Sequence, residues 1–123
     1  MVLVGGIYHT DADKLLRTNT DVVALERPSS EQIAAALADA DGAIVRYPYR
    51  IDDKVLAGAK RLVAVASSGR GTDSIDVPAC TRHGVVVVNN PGFGTVPVSE
   101  HAIALMLALS RRLIECGKAI RSG

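Results

Sequence analysis

Between Arg61 and Arg112 the chain runs twice through the same order of events. An apolar run enters a loop containing glycine, and a helix signal follows. The first run is Leu62-Val63-Ala64-Val65-Ala66, and its loop carries Gly69-Arg70-Gly71 ahead of a short helix. The second is Gly84-Val85-Val86-Val87-Val88. It leads through Asn89-Asn90-Pro91-Gly92-Phe93-Gly94 into a long apolar helix. Short continuous apolar runs, in place of clean alternation, point to strands buried on both faces. Strands that alternate with helices build a parallel, doubly wound sheet. In an open sheet of that kind, small anionic ligands bind beyond the carboxyl ends of the strands. Both loops fall on that edge, so the rest of the chain reads as its support.

The residues upstream keep the same rhythm. Val2-Leu3-Val4 opens a strand that ends near Tyr8, and Thr10 with Asp13 makes an N-cap pattern for a helix through Arg17. Val22 to Leu25 is a second strand. Ser29 with Gln32 fits a capping box, and Ile33, Ala36, Leu37 and Ala40 form the apolar face of the helix it starts. Gly42 ends that helix, Ala43-Ile44-Val45 is the third strand, and Asp52 caps a short helix carrying Val55 and Leu56. Right-handed crossovers then favour a five-stranded flavodoxin-like order. No internal repeat, low-complexity tract or linker interrupts it.

Composition excludes several classes. Hydrophobic residues make up 48% of the 123, aromatic residues only 3%, and Trp is absent, so the core must be aliphatic. A net charge of +1 implies neither a nucleic-acid nor a membrane surface. The start of the chain has no basic segment followed by an apolar run, so no signal peptide is read there. The apolar run from Ala102 to Leu109 is far short of the roughly 20 residues that a membrane span needs. Cys80 and Cys116 make no disulfide framework and read as buried or half-buried thiols of a reducing cytoplasm.

Candidate chemistry narrows to one loop. A dinucleotide fingerprint needs G-x-G-x-x-G between strand and helix. Gly69-Arg70-Gly71-Thr72-Asp73-Ser74 has Ser in the third glycine's place, and Gly92-Phe93-Gly94-Thr95-Val96-Pro97 ends in Pro. There is no G-x-x-x-x-G-K-[ST] phosphate loop. The first strand does not end in an acidic cluster, and the loop from Gly5 to Thr10 lacks the hydroxyl run that cradles a flavin phosphate. His9, His83 and His101 are scattered, so neither a metal site nor a triad emerges. Glu100 and His101 are sequence neighbours on a helix and point apart. Glu100 suits the helix's first turn, and His83 a helix carboxyl end. At Gly69 and Gly71, glycine allows consecutive N–H groups to converge into an anion nest, or simply makes a tight turn.

Three stretches together resemble the D-isomer-specific 2-hydroxyacid dehydrogenases, the family of phosphoglycerate dehydrogenases and glyoxylate or hydroxypyruvate reductases. They are Ser67-Ser68-Gly69-Arg70-Gly71-Thr72-Asp73-Ser74-Ile75-Asp76, then Gly84 to Gly92, then Val98-Ser99-Glu100-His101 with Ala104 to Leu109 and Arg111. The resemblance implies a two-domain NAD(P)-dependent enzyme that interconverts 2-oxoacids and D-2-hydroxyacids. Residues 1–94 would be its flavodoxin-like substrate-binding domain, and 95–123 a long interdomain and dimerisation helix. The family's Rossmann domain, with its glycine loop and catalytic Arg, Glu and His, follows the point where this sequence stops at Gly123. The expectation is therefore the front part of such an enzyme, with no catalytic residue of its own and no cofactor bound by this chain alone.

The resemblance also assigns a grip on the substrate carboxylate to backbone N–H groups of the loop after the fourth strand. Here those residues are Arg70 and Gly71, with Ser68 and Gly69 alongside. Thr95 matches a branch in which the second loop flanks the nicotinamide. Arg70 stands where many relatives have a small apolar residue, Ser99 where Ala is usual, and Gly94 where one branch has Asn. The expected partners are a small 2-oxo or 2-hydroxy carboxylate, a Rossmann half or full-length relative, and a second copy. That copy would bind through the helix around Ala102 to Leu113, because Ala102 to Leu109 is apolar on every side. A free-standing carboxylate-binding module and a non-catalytic partner subunit are the rival readings.

Overall fold

The computed structural model describes residues 1–6 and 9–123 and divides into two compact units, Met1–Pro91 and Gly92–Gly123. In the first unit, five strands form one parallel sheet of order β2-β1-β3-β4-β5, the flavodoxin-like order. The strands are β1 (Val2–Val4), β2 (Val23–Leu25), β3 (Gly42–Val45), β4 (Ala64–Ser67) and β5 (Val86–Val88). The helices between them are α1 (Thr10–Asn19), α2 (Ser30–Leu37), α3 (Asp53–Leu56) and α4 (Val77–Arg82). Register runs Val2 beside Ala43, Gly42 beside Ala64, and Ala64 beside Val86, so the carboxyl ends of β3, β4 and β5 finish level.

The core lies between the sheet and α2, α3 and α4. Val2, Val4, Val45 and Val65 come from the strands, and Ile33, Leu37, Val55, Leu56, Ala79 and Cys80 from the helices. Each of the valine, leucine and isoleucine side chains contributes roughly 1.5–3 kcal/mol on burial. The core is aliphatic, as the composition requires. The expectation of strands buried on both faces holds for β1 and fails at the sheet edges. Val87 packs against the core, while its neighbours Val86 and Val88 are exposed, as are Val23 and Ala24 of β2. A right-handed crossover places α1 on the face opposite α2–α4, and α1 buries none of its residues.

Local hydrogen bonds start the helices. Ser29 and Gln32 form the reciprocal capping box, and Asp52 accepts from Val55 N at 3.0 Å. Asp76 does the same for α4, accepting from Ala79 N at 2.9 Å. For α1 the cap is His9, one residue before the expected Thr10: its Nδ1 accepts from Asp11 N at 3.2 Å. The expected end of the first strand at Tyr8 lies outside the described residues, and β1 itself ends at Val4.

The loops at the carboxyl edge are tied to one another. Tyr49 Oη donates to Glu26 O (2.9 Å), Arg46 Nη1 to Gly5 O (3.4 Å) and Gly5 N to Leu25 O (2.8 Å). Gly5 sits at φ 87°, and a Cβ there would meet the Tyr49 ring at 2.9 Å, so glycine is required on both counts. Ile51 bridges to Ile75, with Ile51 N donating to Ser74 O and Asp76 N to Ile51 O, both at 2.8 Å.

The second unit holds two helices where the sequence read one. α5 spans Thr95–Ser110 and α6 Leu113–Ser122, with Arg112 between them at φ 50°. Gly94, left-handed at φ 81°, holds the cap position, and no side chain caps α5. Pro97 sits in the first turn, where no N–H is missed. From Thr95 on, every residue is exposed except Ala108 and Gly117, which are half-buried.

Candidate substrate-carboxylate site

β4 ends at Ser67, and the chain then turns through Ser68-Gly69-Arg70-Gly71. Together with Tyr47, Asp73 and Ser74, these residues line a hollow of about 250 Å³. A hollow of about 430 Å³ lies beside β2 and α2, but its lining contains neither glycine loop.

The loop is anchored residue by residue. Ser68 N donates to Val45 O of the neighbouring strand at 2.9 Å. Gly69 N donates to Ser67 Oγ at 3.3 Å, so one N–H of the expected nest already has an internal acceptor. Arg70 O accepts from Asn89 Nδ2 at 2.8 Å. Beyond the loop, Ile75 N donates to Thr72 O at 2.8 Å, and the Ile51 bridge fixes Ser74 to Asp76. Ser68 Oγ is buried with no hydrogen-bond partner among the described residues. A buried hydroxyl without a partner costs about 1–3 kcal/mol, which a ligand oxygen or a water would recover.

Neither Gly69 nor Gly71 is left-handed, and a Cβ on Gly69 would meet only Ser67 Oγ at an ordinary 3.7 Å. The turn itself therefore does not demand glycine at either place. A Cβ on Gly71 would run into Asp73 Oδ2, the far end of an exposed side chain. What glycine preserves here is an open approach to the backbone. Exposed Arg70 sets a positive charge at the mouth and exposed Asp73 a negative one.

The other titratable candidates lie apart. His83 Nε2 is 3.2 Å from Asp53 Oδ1, and Arg82 Nη2 donates to the same oxygen at 2.9 Å, tying α4 to α3. These hydrogen bonds, that from Arg82 foremost, hold the Asp53 carboxyl below its ordinary pKa. Glu100 and His101 are exposed on α5. Among the described residues, no group of three His, Cys, Asp or Glu is placed to hold a metal ion. Cys80 is buried, and burial, reinforced by the Asp76 charge, pushes its thiol up. Cys116 is exposed, contrary to the expectation of two covered thiols. The structure draws Ser68, Gly69, Arg70 and Gly71 together, while Thr95 opens α5 in the second unit. Sequence reading did not foresee Tyr47 in the hollow or the Asn89 bond, because these contacts cross between loops, nor Asp73 and Ser74, which follow Gly71 in the same loop.

Helix α4 begins at Val77, well past Gly71, and is too short to offer a pyrophosphate the N-terminus of a full helix. The second loop reaches α5 through a left-handed Gly94, with Pro97 removing an N–H from the first turn.

A flavodoxin-like parallel sheet with a glycine loop at the end of its fourth strand defines a class of small-ligand-binding α/β domains. Residues 1–122 match the model of the D-isomer specific 2-hydroxyacid dehydrogenase catalytic domain, and the chain belongs to that family. It is 34% identical over 123 residues to the D-3-phosphoglycerate dehydrogenase of Archaeoglobus fulgidus, covering 99% of this chain and 23% of that protein. The glyoxylate reductase of Thermofilum pendens is 34% identical over 113 residues, covering 89% of this chain and 33% of that protein. Among solved structures, the 2-hydroxyacid dehydrogenase of Ketogulonicigenium vulgare superposes with a TM-score of 0.83 at 27% identity, covering 99% of this chain and 39% of that one. The NAD+-bound 3-phosphoglycerate dehydrogenase of Entamoeba histolytica gives 0.71 at 28% identity, covering 87% of this chain and 38% of that one. The chain thus spans about a quarter to two fifths of the length of these relatives.

Proposed function

We propose that this chain is the substrate-binding part of an NAD(P)-dependent oxidoreductase that interconverts 2-oxoacids and D-2-hydroxyacids. The observation that carries the proposal is the Ser68–Gly71 loop. It puts backbone N–H groups and a partnerless buried hydroxyl around a small hollow at the carboxyl end of β4. Such a loop grips a carboxylate and leaves the neighbouring C2 carbonyl facing outward, where a reductant reaches it. Reduced nicotinamide supplies a hydride to that carbon, and a proton to the oxygen completes the hydroxyacid. The residues of this chain hold and orient the acid. The dinucleotide and the proton donor belong to the portion of the enzyme that the relatives carry beyond this stretch, and Thr95 flanks the nicotinamide. A cytoplasmic homodimer joined through α5 and the start of α6, from Ala102 to Leu113, completes the reading. It is supported by the exposure of Ile103, Leu105, Met106, Leu107, Leu109 and Leu113.

The test is an NMR titration of the 15N-labelled chain with oxamate, the unreactive amide analogue of a 2-oxoacid. Shifts confined to the amides of residues 68–74 are expected, with no response to NADH. Unmoved loop amides at tens of millimolar oxamate would overturn the assignment. Micromolar NADH binding would make Gly69-Arg70-Gly71 a nucleotide loop instead.

A further inference from the structure

The bond from Asn89 Nδ2 to Arg70 O joins the two glycine loops across the ends of β4 and β5. Because the partner is a carbonyl, the side-chain amide must present its nitrogen, so the Asn89 carboxamide has a fixed sense. The consequence falls on the next group along the chain. The Arg70–Gly71 peptide is planar and trans, so its C=O and its N–H point in opposite directions. Holding Arg70 O toward Asn89 aims the Gly71 N–H to the other side. Gly71, Arg70 and Ser68 line the hollow, whereas Asn89 does not. The side opposite Asn89 is therefore the side where a ligand sits.

The need for such a clamp follows from the loop itself. Gly69 and Gly71 flank Arg70, neither is left-handed, and no Cβ packing holds either in place. The Arg70–Gly71 plane turns about ψ of Arg70 and φ of Gly71, and glycine at 71 lowers the cost of that turn; a rotated plane would offer a substrate carboxylate its carbonyl in place of its N–H. Ser67 Oγ already steadies Gly69 N, and the backbone of β3 steadies Ser68 N. Asn89, the residue that directly follows β5, adds a hydrogen bond to the Arg70 carbonyl itself.

We propose that Asn89 is a positioning residue for the substrate carboxylate, acting through the Arg70–Gly71 peptide. This rests on the reading of the Ser68–Gly71 loop as the carboxylate grip. The experiment uses the 15N-labelled chain and oxamate, comparing the unmodified protein with Asn89→Ala, Asn89→Asp and Asn89→Gln. Asn89→Ala removes the donor, and Asn89→Asp sets an acceptor against the Arg70 carbonyl. Each should shift the Gly71 amide resonance and weaken oxamate by about tenfold, the worth of one charge-assisted hydrogen bond. Asn89 is exposed, so the melting temperature should barely change. Asn89→Gln restores a carboxamide and should recover part of the affinity. Wild-type affinity in Asn89→Ala and Asn89→Asp, with an unmoved Gly71 resonance, would overturn the clamp and leave the grip standing. Failure of the unmodified chain to show any oxamate response at Gly71 overturns both. Independently of any variant, a coupling through the hydrogen bond is expected between the Asn89 side-chain nitrogen and the Arg70 carbonyl carbon, and its absence refutes the clamp.

Discussion

Glycine at 69 and 71 can serve the turn or serve a ligand, and the two roles predict opposite outcomes on substitution. Neither residue is left-handed, so a side chain adds no backbone strain at either place. A methyl at Gly69 meets Ser67 Oγ at 3.7 Å, ordinary contact, and removes freedom from the unfolded chain. Gly69→Ala should therefore stabilise the fold by about 0.4–1 kcal/mol, a rise of a few degrees in Tm. Gly71→Val drives its Cβ against the Asp73 carboxylate, which is exposed and can swing away, so its stability cost should stay below about 1 kcal/mol. The same isopropyl group blocks approach to the Gly71 N–H. Losing one charge-assisted hydrogen bond, ~1.5–3 kcal/mol, weakens oxamate by about tenfold to a hundredfold. Thermal unfolding by circular dichroism and oxamate titration, run on the same samples, separate the two quantities. Pairing Gly71→Val with Asp73→Ala relieves the collision and should restore stability without restoring affinity. A loss of more than about 2 kcal/mol in Gly69→Ala, or unchanged oxamate affinity in Gly71→Val, would show that the glycines serve the turn.

Four further outcomes are open to measurement. Arg70→Ala should weaken dicarboxylic or phosphorylated oxoacids several-fold more than oxamate in the same titration, and added salt should narrow that gap, because the guanidinium is exposed. The Asp53 pKa is depressed in the folded state, so its contribution to stability is present above the ordinary carboxylate value and lost as pH falls through the lowered one. The Tm difference between the protein and Asp53→Asn should then be full at neutral pH, begin to shrink near pH ~3.8 and vanish only below the lowered value, and a difference that persists in stronger acid would refute the α3–α4 tie. Cys116 should react with a thiol reagent within minutes, and Cys80 only on unfolding, because it is buried and its thiol pKa is raised. With Ile103, Met106 and Leu107 exposed on α5, sedimentation should show self-association at tens of micromolar, reduced by Met106→Lys; a clean monomer would refute that role for the helix.

What the sequence revealed and what it hid divide by the range of the interactions. Ser29 with Gln32, and Asp52 with Val55, are bonds between residues three apart, so the residue pattern alone locates them. The order of the sheet is one of the few topologies that right-handed crossovers leave open, so it could be favoured without foreseeing any contact. His9 escaped notice because an imidazole nitrogen performs a capping role usually given to Ser, Thr, Asp or Asn. The break between α5 and α6 escaped because it falls at Arg112, left-handed without being glycine, while the obvious breaker, Gly117, lies inside α6.

The valine run Val85 to Val88 reads as a strand covered on both sides, yet only Val85 and Val87 are covered, while Val86 and Val88 are exposed. A β-branched run records that a strand forms, and the number of layers around it depends on which helices lie over each face. The same separation holds at the site. That the loop after β4 meets a ligand can be inferred from two glycines at a strand's carboxyl end. Which of its N–H groups point outward depends on Ser67, Val45 and Asn89, each bonded to a different peptide of the loop. Gly69 N is already occupied by the Ser67 hydroxyl, so in the proposed grip the Gly71 N–H would carry more of the carboxylate than two equivalent glycines would suggest. Under the proposed clamp, the grip from Ser68 to Gly71 would be uneven, with a single peptide plane, held by a side chain of the next strand's loop, setting the direction of the bond.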